Sequence, residues 1–159
     1  MSIYLPKNNT PLNIALVEPK IPPNIGAISR ICACIGSPLY IVGEVTFSEN
    51  HPKRKRAGLD YWDKVEKIYI DKIDDFFEET AQNFYLFSTK VGNSIFEVNF
   101  KQGDFLVFGS ETTGLPKYLL KKYQAQSCRI PMIKNIRSLN LANSVGIAAY
   151  EALRQIHFT

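Results

Sequence analysis

The chain has 159 residues, of which 45% are hydrophobic and 21% charged, a size and composition typical of one globular domain. No apolar run approaches the roughly 18 residues of a membrane span, and the first residues lack the basic-then-apolar order of a signal peptide. We therefore expect a cytoplasmic protein with no membrane partner. The net charge of +4 is too small to establish a nucleic-acid partner by itself.

Cysteine and histidine usage argues against disulfides and metal. The cysteines are Cys32, Cys34 and Cys128, an odd number that favours reduced thiols, and with only two histidines no zinc site is expected. Cys32 and Cys34 lie in an apolar stretch with helical spacing, where we expect both to be small buried side chains.

One segment concentrates positive charge. It consists of Lys53, Arg54, Lys55 and Arg56, with His51 just before it and the aromatic pair Tyr61 and Trp62 after it. A phosphate backbone favours such a cluster through counterion release, and aromatic rings can stack on unpaired bases. The run alone is equally compatible with a solvated loop.

The first third of the chain predicts strand, helix and strand. Short apolar runs at 12–17 and 38–42 are typical of buried strands. Between them, isoleucines at helical spacing predict a helix with Asn24 as N-cap and Gly36 as the stop. Residues 44–63 have no clear period and are expected to form a loop with room for one helical turn.

The rest of the chain continues the alternation. Strands are predicted at 65–70, 83–89, 104–109 and 128–132, and helices at 71–82, 116–122 and 139–155, the last with Val145, Ala148, Ala149, Ala152 and Leu153 facing inward. This pattern predicts an α/β fold with a mostly parallel sheet and helices on both faces. Ligands of such folds bind beyond the carboxyl ends of the strands.

Three polar clusters follow predicted strands. In the first, Asn24-x-Gly26-x-x-x-Arg30, a helix N-terminus and a guanidinium suit an anion, although a capped helix with a surface arginine fits as well. The second runs from Gly109 to Pro116 and contains Glu111, which could bind a ribose hydroxyl, a backbone amide or an arginine. Its Leu-Pro excludes a Walker phosphate loop, and no G-x-G-x-x-G follows a strand, so a nicotinamide-dependent enzyme is disfavoured.

The third cluster joins Ile130-Pro-Met to a polar helix start. Ser138, Asn140 and Asn143 supply a helix cap and further hydrogen-bonding groups. Capping accounts for one of them, and the others favour a binding function.

Taken together, these segments resemble the signature motifs of the SPOUT class of methyltransferases, most closely the small tRNA (cytidine/uridine wobble-position) 2′-O-methyltransferases. The similar segments are NIALVEPKIPPNIGAISRICACIG, RKRAGLDYW, FLVFGSETTGLP and RIPMIKNIRSLNLANSVGIAAYEALRQ. The resemblance covers about Leu12 to Gln155, so we interpret 1–159 as a single domain with a short N-terminal extension at 1–11. It also implies a C-terminal deep trefoil knot, which general rules of chain topology would not predict.

The resemblance implies S-adenosyl-L-methionine as methyl donor, no metal, and a ribose 2′-hydroxyl of tRNA as acceptor. The cofactor-binding positions that it implies are Phe87, Gly109, Ile130, Ser138 and Leu139, where Gly109 would leave room for the ligand.

Arg30, Glu111 and Asn140 match residues of the family's reacting centre, with Ser138 nearby. Because a guanidinium rarely loses its proton, we favour a role for Arg30 in orienting the hydroxyl and stabilising negative charge, with general-base catalysis as the other option.

Members of the family are homodimers, which makes Tyr150 and the apolar face of the last helix candidates for the subunit contact, and the run from Lys53 to Arg56 a candidate RNA-binding surface. The chain departs from the family at Ser110, where proline is usual, at Thr113, where a basic residue is common, and in VGNSIFEVNF. These departures bear on substrate choice. The alternatives are 2′-O-methylation elsewhere in tRNA or in rRNA, and an RNA-binding protein without catalysis.

Overall fold

The computed structural model describes residues 4–5, 11–46, 61–80 and 83–158. The strands are β1 Asn13–Val17, β2 Leu39–Val42, β3 Lys67–Ile70, β4 Phe84–Phe87, β5 Phe105–Phe108 and β6 Ser127–Cys128. The helices are α1 Pro22–Ile35, α2 Ile73–Glu79, α3 Lys117–Lys122 and α4 Leu141–His157, and short 3-10 helices lie at Trp62–Lys64, Ile95–Glu97 and Gln124–Gln126. No helix among the described residues is long and apolar enough to cross a membrane.

The strands form one sheet in the order β3-β2-β1-β5-β4-β6, and every pairing within it is parallel. The predicted parallel α/β fold is therefore confirmed. In the register of the central strands, Leu16 of β1 lies opposite Phe108 of β5, and Phe87 of β4 lies on the other side of Phe108. The carboxyl ends of β1, β4 and β5 thus meet at one edge, and the loops that follow them are neighbours in space.

Alternate residues of the central strands enter two separate cores. Ile14 and Leu16 pack on one face with α1 and α4, and Ala15 and Val17 pack on the other with the phenylalanines of α2 and with Leu119 of α3. Helices therefore cover both faces of the sheet. A parallel sheet between two helical layers requires central strands that are apolar on both faces, as these are.

The inner face of α4 is confirmed, because Val145, Ala148, Ala149, Ala152 and Leu153 are all buried. Three residues of this set are alanines, and their short side chains allow α4 to pack closely on α1 and the sheet.

Two predictions about local structure are wrong. Asn24 is not the N-cap of α1, since that helix begins at Pro22 with Ile21 at the cap position and no side-chain cap. Proline fits the first helical turn because a backbone N–H at that position, which proline lacks, would have no intrahelical partner. The last strand covers Ser127–Cys128 rather than 128–132, because the chain beyond a bridge at Arg129 turns away to line a cavity.

The thiols differ from one another in exposure. Cys32 and Cys128 are buried, but Cys34 is exposed, so the prediction of two buried cysteines in α1 is half wrong; all three are free thiols. Burial raises the pKa of the Cys32 and Cys128 thiols to about 12, which keeps both protonated at neutral pH. Neither is suited to act as a thiolate nucleophile.

Candidate active site

A cavity of about 660 Å³ lies beyond the carboxyl ends of β4 and β5. Its walls come from Phe87 and Phe108 at the ends of these strands, the loop 109–114, the segment 130–140, and the first turns of α1 and α4. The volume falls in the range of small-molecule sites. Asn24 of the first polar cluster therefore meets residues of the second and third clusters at one place, at the edge where parallel α/β folds bind their ligands.

The floor of the cavity is apolar. The rings of Phe87 and Phe108 stack with centroids 4.6 Å apart, and the Phe100 ring lies parallel to that of Phe87 with centroids 6.5 Å apart. Ile130 is half-buried and Leu139 is 38% exposed, so an apolar edge is presented to the opening. A flat apolar group can lie against such a surface.

The loop after β5 folds back tightly on itself. A side chain at Gly109 would overlap the backbone carbonyl carbon of Gly114 and the backbone nitrogen of Leu115. Glycine is therefore required at this position by loop closure, a reason separate from the room for a ligand that the resemblance implies. The Gly114 N–H donates to the Ser110 carbonyl oxygen over 2.9 Å, and the hydroxyls of Ser110 and Thr113 lie 2.7 Å apart. The two residues that depart from the family pattern thus hold this loop closed together.

A carboxylate and two amides connect the three walls. Glu111 accepts hydrogen bonds from the backbone N–H groups of Lys20 and Ile21, at 2.9 and 3.0 Å, and from the Asn24 amide at 3.2 Å. The Asn140 amide donates to Asn24 Oδ1 over 3.0 Å. Of the partners predicted for Glu111, the structure shows backbone amides.

The described cations that line the cavity are Lys90, which follows β4, and Arg137, in the segment 130–140. Lys90 Nζ lies 3.5 Å from the Thr113 carbonyl oxygen, and the Lys90 backbone N–H donates to the Ser88 hydroxyl. Since Glu111 is held by three donors, the unpaired charge around the opening is positive, which suits a ligand that carries a carboxylate.

Arg30 lies outside this lining. It is exposed on α1, with its guanidinium carbon 4.8 Å from the centre of the Tyr61 ring. The distance of 3.5 Å between Arg30 Nη2 and the Tyr61 hydroxyl is long for a hydrogen bond, so the ring contact dominates. Asn24, which does line the cavity, lies six residues earlier on the same helix. Arg30 is thus carried by the helix whose first turn forms one wall.

The structure brings most of the predicted site residues together. The predicted residues that line the cavity are Phe87, Gly109, Ile130, Ser138, Leu139, Glu111 and Asn140. Arg30 does not line it. Lys53, Arg54, Lys55 and Arg56 lie outside the described residues.

Two residues of the cavity have contacts that the sequence did not predict. Asn24 was interpreted as part of a polar cluster and as a helix cap but not as a bridging residue, and Lys90 received no role. The position of Lys90 just after a predicted strand was the signal that could have identified it.

Fold and cavity together define a parallel α/β protein with a ligand site at the carboxyl edge of its sheet. The sequence pattern of the SpoU rRNA Methylase family matches residues 11–150. A tRNA (cytidine(34)-2'-O)-methyltransferase of Escherichia coli is 40% identical over 149 residues, which are 92% of this chain and 95% of the relative. The chain therefore belongs to the SpoU rRNA Methylase family.

Solved structures share the fold. One, described as giving structural insights into the 2-OH methylation of C/U34 on tRNA, has a TM-score of 0.85 and 41% identity and covers 91% of this chain and 95% of its own. The SpoU methyltransferase AviRb from Streptomyces viridochromogenes, in complex with the cofactor AdoMet, has a TM-score of 0.80 at 23% identity and covers 94% of this chain and 59% of its own. At that identity the second likeness concerns the fold.

Proposed function

We propose that this protein transfers the methyl group of S-adenosyl-L-methionine to the ribose 2′-hydroxyl of the anticodon wobble nucleotide of tRNA, a cytidine or a modified uridine. The observation that carries the proposal is one cavity lined by the first turn of α1, the loop after β5 and the segment 130–140, in a chain that matches a tRNA (cytidine(34)-2'-O)-methyltransferase over nearly the whole length of both. The related structure described for 2-OH methylation of C/U34 on tRNA supports the same substrate.

The cavity fits the proposed cofactor in size and chemistry. Phe87, Ile130 and Leu139 offer an apolar surface for adenine, and Ser138 offers a hydroxyl and a backbone amide. Lys90 and Arg137 are available to the carboxylate of the methionine part. When bound, S-adenosyl-L-methionine supplies a methyl group on a good leaving group, so no metal is needed.

Arg30 is the proposed catalytic residue. A guanidinium keeps its proton at neutral pH, so Arg30 donates hydrogen bonds to the 2′-oxygen or to the neighbouring phosphate and stabilises the negative charge that develops there. It also holds the ribose in line for transfer. General-base catalysis by Arg30 is the other option, and it requires the loss of that proton.

The tRNA needs a binding surface larger than the cavity. Lys53, Arg54, Lys55 and Arg56 are the proposed contacts with its phosphates. Residues 1–159 are taken as one cytoplasmic domain with the trefoil-knot topology that the resemblance implies.

A homodimer is proposed because α4 leaves Ile147 and Tyr150 exposed, at 43% and 56%, on the face turned away from the core. Two copies packed through α4 would cover them, and sedimentation is expected to give the mass of a dimer.

Methyl transfer to tRNA tests the proposal. Labelled S-adenosyl-L-methionine is incubated with total tRNA from a strain that lacks the protein, and the labelled nucleosides are identified. Wild type is expected to produce 2′-O-methylated wobble nucleotide. Arg30→Ala is expected to reduce kcat at least about a hundredfold, since it removes a charged donor from the transition state.

Arg30→Lys separates the two roles of the arginine. A lysine keeps the positive charge but lacks the planar fork, so partial activity with an unchanged pH profile supports orientation and charge stabilisation.

Label in ribosomal RNA instead of tRNA would move the substrate to the rRNA alternative. Binding of RNA without any transfer would favour the non-catalytic alternative.

A further inference from the structure

We propose that Asn24 is a positioning residue, and that with Glu111 and Asn140 it forms a hydrogen-bonded bridge that sets the spacing of the three walls of the cavity. In this role Glu111 is a fixed acceptor and takes no proton during the reaction. The statement about the bound ligand rests on the proposed function, whereas the bridge itself rests on the contacts of these three side chains.

Three donors engage both oxygens of the Glu111 carboxylate. Its Oε2 accepts from Lys20 N–H, and its Oε1 accepts from both Ile21 N–H and Asn24 Nδ2. Two of these donors belong to the segment that leads into α1, where the helix dipole also favours a negative charge. All three contacts use Glu111 as an acceptor, and an acceptor is the role that the bridge requires of it.

Asn24 is the member that can connect the other two. It is 9% exposed, its Nδ2 donates to Glu111 and its Oδ1 accepts from Asn140. An amide offers a donor and an acceptor on one planar group, while a carboxylate or a hydroxymethyl group at the same place could not serve both partners in this geometry.

Asn140 completes the bridge and anchors it to a helix. Its Oδ1 caps α4 by accepting from the N–H groups of Ala142 and Asn143, at 2.9 and 3.2 Å. The orientation of the Asn140 amide is thus fixed by the cap, which aims its Nδ2 at Asn24. The bonds Asn140 to Asn24 to Glu111 run in one direction, and each polarises the next.

The bridge spans large separations in sequence. Asn24 is 87 residues from Glu111 and 116 from Asn140, so the bridge joins the first turn of α1, the loop after β5 and the start of α4. A shift in any one of them changes the width of the opening. We therefore expect the bridge to act on ligand affinity before it acts on the chemical step.

Exchanging the polarity of the bridge tests the proposal. Asn24→Asp places two carboxylates within hydrogen-bond distance and removes the donor to Glu111. Glu111→Gln keeps one acceptor oxygen for Ile21 and Asn24 and loses the bond to Lys20. In the double variant, the new amide at position 111 can donate to the new carboxylate at 24, which still accepts from Asn140.

We expect the effect of Glu111→Gln on cofactor affinity to depend on residue 24: it weakens binding when residue 24 is asparagine and strengthens binding when residue 24 is aspartate. Asn24→Asp is expected to weaken S-adenosyl-L-methionine binding about tenfold or more and to lower the Tm, and Glu111→Gln is expected to weaken binding by a smaller factor. Adding Glu111→Gln to Asn24→Asp is expected to recover affinity to within about threefold of Glu111→Gln alone. Calorimetric titration and thermal unfolding measure both quantities.

The matched control is Glu78→Gln, the same chemical change on an exposed residue of α2, which is expected to alter neither the affinity nor the Tm. Asn140→Ser serves if Asn24→Asp does not fold. A serine still caps α4 but is too short to reach Asn24, so it is expected to weaken cofactor binding while the Tm changes little.

Two results would overturn the proposal. One is the absence of rescue in the double variant, in both affinity and Tm. The other is a loss of more than about a hundredfold in kcat for Glu111→Gln with unchanged cofactor affinity, which would assign Glu111 to the reacting atoms. If wild type binds no S-adenosyl-L-methionine, the proposed function fails, and the coupling in Tm still decides whether the bridge exists.

Discussion

Gly109 illustrates how one residue determines the shape of the site. The loop after β5 turns back so closely that a Cβ at this position would lie on the backbone of Gly114 and Leu115. Since backbone atoms cannot move aside as a flexible side chain can, any substitution must open the loop.

We predict that Gly109→Ala lowers the free energy of unfolding by about 3 kcal/mol, the upper part of the range for overpacking, and abolishes cofactor binding. Urea unfolding and calorimetric titration measure the two effects. Gly92→Ala is the control, because a Cβ at Gly92 meets no atom within 4 Å. Equal stability of the two variants would show that the loop after β5 is not closed as described.

Tyr61 is the residue that holds Arg30 in place. Its ring faces the Arg30 guanidinium at 4.8 Å and Lys64 Nζ at 5.7 Å. We predict that Tyr61→Phe keeps kcat within about twofold, and that Tyr61→Leu lowers kcat about threefold to fivefold with an unchanged KM for S-adenosyl-L-methionine, the size expected for an exposed cation–π contact. Steady-state kinetics of both variants measure this, and a Phe variant as impaired as the Leu variant would assign the effect to the hydroxyl.

For individual residues, the sequence predicted which side chains lie at the site better than it predicted what each of them does. Seven of the residues taken from motif resemblance line the cavity, because residues just after parallel strands must meet at one edge. The role of Asn24 was missed because a polar residue at an apparent helix start suggests a cap. Its partners, 87 and 116 residues away, cannot be inferred from local pattern.

The elements follow the sequence pattern closely except at their ends. Boundaries of strands and helices differ by one or two residues in most places, because the apolar period specifies which residues are buried but not where backbone hydrogen bonding stops. The predicted strand 128–132 failed because its apolar residues serve the cavity. Ile130 and Met132 line it instead of pairing with a neighbouring strand.

Helix α4 offers a test of packing at the level of one element. A Cβ added at Gly146, in the interior of the helix, would contact Ile31 Cδ1 at an ordinary 3.6 Å. We predict that Gly146→Ala raises the free energy of unfolding by about 0.5–1 kcal/mol, since alanine has the higher helix propensity and no atom must move.

The comparison variant is Gly36→Ala at the end of α1, where φ is 70° and no neighbouring atom lies within 4 Å. There alanine is expected to destabilise by about 1 kcal/mol through backbone strain alone. Chemical denaturation compares the two variants, and destabilisation by Gly146→Ala would mean that α1 and α4 are closer than described.

For the whole molecule, the sequence predicted the class of fold but not the order of its strands. Alternating strands and helices require a mostly parallel sheet, yet they do not specify that β1 pairs with β5 or that β4 lies between β5 and β6. That order depends on how two helical layers bury both faces of the sheet, which is a property of the packed chain. It is also the order that brings the loops after β4 and β5 together with the first turn of α1.

The proposed reaction modifies one oxygen atom, the 2′-hydroxyl of the wobble ribose. The most direct measurement compares two forms of the same tRNA, purified from a strain without the protein and religated from halves, with either ribose or 2′-deoxyribose at the wobble nucleotide. With labelled S-adenosyl-L-methionine, the ribose form is expected to accept about one methyl group per tRNA and the deoxy form none, because the attacking oxygen is missing. Equal labelling of the two forms would contradict the account, since the methyl group would then be going to another atom.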